Sequence, residues 1–130
     1  MITGGRIDSI EGKKTSEDAI KGLNINISID ELKVTGQKIE IGYTYMASYP
    51  ENVGQMTIRG VLFAEEEKKL AKDVETEWQK NKKVPESYAE VVLNAINYSG
   101  SANGTLLARV LNLSPPLTPP RISLSGTKKA

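Results

Sequence analysis

The sequence predicts an α+β chain, with a four-stranded, mostly antiparallel sheet followed by two helices packed on one of its faces. Three observations predict it. The first half alternates apolar and polar residues, the period of a strand with one face buried. The second half changes to steps of three and four, the period of a helix. Glycine- or proline-containing turns separate the runs.

Leu23 to Asp30 alternates strictly, which sets Leu23, Ile25, Ile27 and Ile29 on one face. Isoleucine, branched at Cβ, favours the pleated backbone. Lys38 to Tyr49 repeats the pattern, with Ile39, Ile41, Tyr43, Tyr45, Ala47 and Tyr49 on one side. Thr35-Gly36-Gln37 between them supplies a turn, so the two runs predict a hairpin. After a turn at Tyr49–Gly54, Gln55 to Ala64 reads as a third long strand, with Met56, Ile58 and Leu62 on one face. Arg6 to Lys13 completes the sheet, although Ile7 and Ile10 do not alternate cleanly.

Glu65 to Lys83 is rich in helix formers, and Leu70, Val74 and Trp78 recur every fourth residue. Acidic residues open the run and lysines close it, as the helix dipole prefers. Pro85 ends this helix and begins the next. From there Tyr88, Val92, Ala95, Ser99, Ala102, Leu106 and Val110 make a stripe that runs unbroken through Ser99–Gly104. One long helix with a small-residue middle is expected, able to approach another backbone closely. Leu113 to Pro120 follows an extended, polyproline-like path. A single domain over 1–124 is expected, with Ile122 and Leu124 anchoring its end and 125–130 a flexible tail.

Composition narrows the function. The 130 residues contain neither cysteine nor histidine. Disulfides, thiolate chemistry, histidine triads and most zinc sites are thereby excluded. With 17 basic against 16 acidic residues, nothing marks a nucleic-acid footprint. No apolar run is long enough to span a membrane and the start does not read as a signal peptide, so a cytoplasmic location is expected. The carboxylates of Glu65–Glu77 read as a solvated helix face, and no glycine-rich phosphate loop is present. No cofactor and no enzymatic activity are expected. The best polar candidate for a ligand site is Arg59, on a central strand.

Aromatic placement is more informative. Tyr43, Tyr45 and Tyr49 form a ladder on one strand face, which reads as core packing, as a subunit interface or as a groove for an extended peptide. Met46 and Met56 offer adaptable apolar surface if exposed. These five residues and Trp78 are the candidate peptide-binding or interface residues.

The order of elements resembles the SecB-like export-chaperone family. Pro85-Glu86-Ser87-Tyr88-Ala89-Glu90 is similar to that family's proline–x–tyrosine–alanine helix start, with one extra residue. Leu111-Asn112-Leu113-Ser114-Pro115-Pro116 is similar to its leucine–x–leucine–x–proline exit. The charged run Glu65–Lys83 and the insertion around Ser99–Gly104 depart from the pattern, and the acidic features that engage a translocase motor are not recognisable. The resemblance implies a homo-oligomer, dimer or tetramer, that holds unfolded polypeptides in apolar grooves. The alternative is a non-catalytic scaffold or protein-interaction module sharing the fold.

Overall fold

A computed structural model describes residues 1–116. Its elements are β1 (Ile2–Lys14), β2 (Asn24–Thr35), β3 (Lys38–Tyr49), β4 (Gly54–Glu65), α1 (Lys68–Asn81) and α2 (Glu86–Leu111). The strands form one antiparallel sheet in the order β1-β4-β3-β2. The expectations for residues 117–130, including the anchoring by Ile122 and Leu124 and the tail 125–130, lie outside the described residues.

The β2–β3 hairpin closes between Thr35 and Lys38, and Gly36 takes the positive φ of 65° that the turn requires. β2 extends beyond Asp30 because a bulge between Ile29 and Glu31 resets the alternation. Leu32 and Val34 thus join Ile27 and Ile29 on the inner face. β1 begins at Ile2, four residues earlier than expected, and has two irregularities of its own. The shift between Ile7 and Ser9 puts Ile7 opposite Gly60 and Ile10 opposite Ile58, so residues three apart share a face. This explains why β1 does not alternate cleanly in sequence.

The inner face of β3 and β4 is the core: Ile39, Ile41, Tyr43, Tyr45, Ala47, Tyr49, Met56, Ile58, Leu62 and Ala64 are buried. α1 lies against β2 and adds Ala71 and Val74. It starts at Lys68 rather than Glu65, since β4 continues to Glu65. No acidic residue therefore occupies its first turn. Glu66 instead accepts a 2.9 Å hydrogen bond from the Tyr88 hydroxyl, tying the start of α2 to the end of the sheet. Burial and the neighbouring carboxylate push the Tyr88 phenol well above its usual range.

α2 runs without a break through Ser99–Gly104. Its buried row is Tyr88, Val92, Ile96, Gly100, Gly104 and Ala108, spaced by four throughout. The expected stripe shares only the first two. Ala95 and Ser99 are half-buried on a flank, and Ala102, Leu106 and Val110 face outward. Closeness decides the difference, because Gly100 sits directly on the Tyr45 ring where any Cβ would clash. Gly104 packs on Pro116, where a Cβ would lie 2.8 Å from the proline ring, too close without a shift. The helix turns toward the sheet the positions that have least side chain. Beyond Asn112, Leu113 is buried over Gly54, and the Tyr49 hydroxyl donates to the Ser114 carbonyl. Among the described residues no helix is long and apolar enough to cross a membrane.

Candidate interaction surface

Tyr43, Tyr45, Tyr49 and Met56 are at most 3% exposed. They stand on the inner face beneath α2, so the tyrosine ladder is core packing in this chain and not an open groove. The reason is geometric: the glycines of α2 bring its backbone down onto the rings. Burial raises the Tyr45 and Tyr49 phenols above their ordinary range, although the nearby Ser101 hydroxyl offsets part of the shift at Tyr45. The remaining two candidates lie apart from these. Met46 is half-covered on the opposite face of the sheet, across from Asn26 and Thr57. Trp78 lines a cleft of about 400 Å³ with Leu32, Glu40, Val61 and Lys82, the lysine ammonium 5.7 Å from the ring centre. The six residues therefore make no single site. Arg59 is exposed on the open face, between Ser9 and Thr44.

The surface that stands out instead is the outer side of α2. Tyr98, Leu106 and Val110 are 69%, 64% and 80% exposed, with exposed Ala102 among them. Each lies two positions from the buried row, about 200° around the helix, so they point away from the sheet. A surface helix ordinarily turns charged residues to this side. α1 does so, half of its 14 residues being charged. α2 carries only Glu86, Glu90 and Arg109 over its 26 residues, and none between 91 and 108. It is thus apolar on two opposite sides, only one of which is covered among the described residues.

No family model, no curated protein and no solved structure matches this chain.

A second apolar feature adjoins the helix. Ile2, Gly5, Ile7, Leu62, Tyr43 and Tyr98 line an open groove of about 420 Å³ between β1 and α2. On this face Gly5 leaves the strand without a side chain. Beside the groove runs β1 itself, an edge strand that among the described residues pairs with β4 alone. Sequence reading missed this side because the chosen α2 stripe mixed inner and outer positions. The signal was present in the sparse charge of residues 86–111.

Proposed function

We propose that the protein is a non-catalytic interaction module that works as a homo-oligomer and contacts its partner through the outer row of α2. The observation that carries this reading is the exposure of Tyr98, Leu106 and Val110 on a helix whose other side is already buried. Isolated apolar residues on a surface are ordinary, but a row repeated every four residues makes a continuous stripe. Among the described residues nothing covers it, and an apolar stripe of this kind suits contact with another polypeptide. Tyr45, Tyr49 and Tyr88, whose ionisation burial displaces, lie inside the packing between the sheet and the segments that cover it. The scaffold alternative is favoured over the holdase by the burial of the tyrosine ladder.

A SecB-like holding activity is the second reading. It is favoured by the groove between β1 and α2, whose walls include the apolar residues Ile2, Ile7, Leu62 and Tyr98. A cytoplasmic location belongs to both readings and fits a chain without cysteine.

The two separate in one experiment. A chemically denatured client is diluted into buffer with the protein or with a Leu106→Lys/Val110→Lys variant, and its aggregation is followed by turbidity. The interaction-module reading predicts no protection by either protein. Protection by the parent chain at near-stoichiometric ratio would instead establish the holdase.

A further inference from the structure

On the open face of the sheet, a cleft of about 400 Å³ lies where β1 and β4 approach the β3–β4 turn. Its lining differs from that of the groove beside α2. Glu11, Lys13, Thr15, Asn52, Gln55 and Thr57 supply every side chain, and glycine backbone supplies the rest. All six are polar, so an apolar or aromatic ligand has nothing to bury against. The far wall is fixed, because the Thr15 hydroxyl donates to the Asn52 carbonyl and the Thr15 N–H donates to the Val53 carbonyl at 2.8 Å.

The strand register sorts these groups by kind. Glu11 stands opposite Thr57, and Lys13 stands opposite Gln55. The first rung offers a carboxylate and a hydroxyl, both able to accept hydrogen bonds. The second offers an ammonium and an amide, both able to donate. Two residues of strand, about 7 Å, separate the rungs. Neither Glu11 nor Lys13 has an ion pair among the described residues. Thr57 adds an independent sign. It is only 5% exposed, yet its side chain has no hydrogen-bond partner among the described residues. Buried hydroxyls ordinarily find one, and this residue lines the cleft, from which a partner can come. Water would satisfy the hydroxyl alone. The separation of acceptors from donors calls for a ligand that carries both charges, since a simple anion would meet Glu11 and a simple cation Lys13.

We propose that this cleft binds a small zwitterion of the α-amino-acid type, its ammonium on Glu11 and Thr57 and its carboxylate on Lys13 and Gln55. A charge-assisted hydrogen bond about 2.8 Å long at each end lets one such molecule bridge the two rungs. The site lies on the opposite face of the sheet from α2, so it does not depend on the outer row of that helix.

The test is a titration of the parent chain with L-serine, followed by the amide resonances of a ¹⁵N-labelled sample. Acetate, methylammonium and glucose are titrated in parallel. The amides of Gly12, Gly54 and Thr57 should shift saturably with L-serine, and each control should bind at least about tenfold more weakly. Glu11→Gln and Lys13→Gln, both at exposed positions, should leave the fold intact and each weaken L-serine by about tenfold. Thr57→Val keeps the shape and removes the hydroxyl. It should weaken L-serine severalfold with the thermal midpoint unchanged or raised, whereas a purely structural hydroxyl would leave the affinity unchanged. An absence of saturable shifts, shifts confined to other residues, or equal binding of acetate, methylammonium or glucose would overturn the proposal. Unchanged affinity in either charge variant would overturn it as well.

Discussion

Gly100 and Tyr45 set how closely α2 lies on the sheet. A methyl group at 100 would occupy the space of the tyrosine ring, in a core that has no slack to absorb it. Gly100→Ala improves helix propensity by about 1 kcal/mol but overpacks the core at about 1–3 kcal/mol or more. The substitution should therefore lower the thermal midpoint, whereas exposed Ala102→Gly should cost only about 1 kcal/mol. The Tyr45 hydroxyl is buried near Ser101, yet neither oxygen has a hydrogen-bond partner of good geometry. An unsatisfied buried hydroxyl costs about 1–3 kcal/mol. Tyr45→Phe is accordingly expected to leave stability unchanged or raise it, read from urea unfolding at neutral pH. At this scale the sequence was half legible. The tyrosine ladder and the small residues at 99–104 were both visible. That they meet was not, because their contact depends on which side of the helix faces down.

Helix α2 is the element in which inner and outer faces are hardest to separate. Its rows at 88/92/96 and at 98/102/106/110 are both apolar or small, so a window of periodicity supports either. The 88-to-108 row faces the sheet because Gly100 and Gly104 permit contact there. The two rows should respond oppositely. Ile96→Ala, which removes a fully buried side chain, should destabilise the subunit by about 2–5 kcal/mol. Leu106→Lys should change subunit stability by about 0.5 kcal/mol or less, as expected for an exposed position away from caps and cores. Denaturant melts of the two variants at low protein concentration check the contrast. The strands were more legible than the helices, since an alternation of two leaves only two faces to choose between. Their extents were misjudged where bulges at Ile7/Ser9 and Ile29/Glu31 reset that alternation. A bulge leaves no residue signature stronger than a break in pattern.

For the whole molecule, three buried tyrosines link the fold to alkaline pH. Tyr45, Tyr49 and Tyr88 all have phenols raised above the unfolded value, by burial first in each case. The folded state thus favours the protonated phenol, and this contribution is complete below about pH 10, where the unfolded chain begins to ionise. It is lost as pH rises from there through the folded values. Stability should decline above about pH 10, by up to roughly 1.4 kcal/mol per pH unit for each tyrosine still protonated. Tyr88→Phe should make the decline shallower, which unfolding midpoints between pH 8 and 11.5 will show. Fold class was legible from the change of period midway along the chain. The proposed interaction surface was not, because it is the outer row of a helix whose opposite side is equally apolar or small.

The most direct test of the account is the solution mass of the parent chain beside that of the Leu106→Lys/Val110→Lys variant, by light scattering over a range of concentrations. The parent should run as a defined multiple of its 14.2 kDa subunit. The variant should fall to a smaller assembly while keeping its circular dichroism. A parent chain that stays monomeric at every concentration, or a variant of unchanged mass, would contradict the assignment of the outer row of α2 as the surface through which this protein assembles.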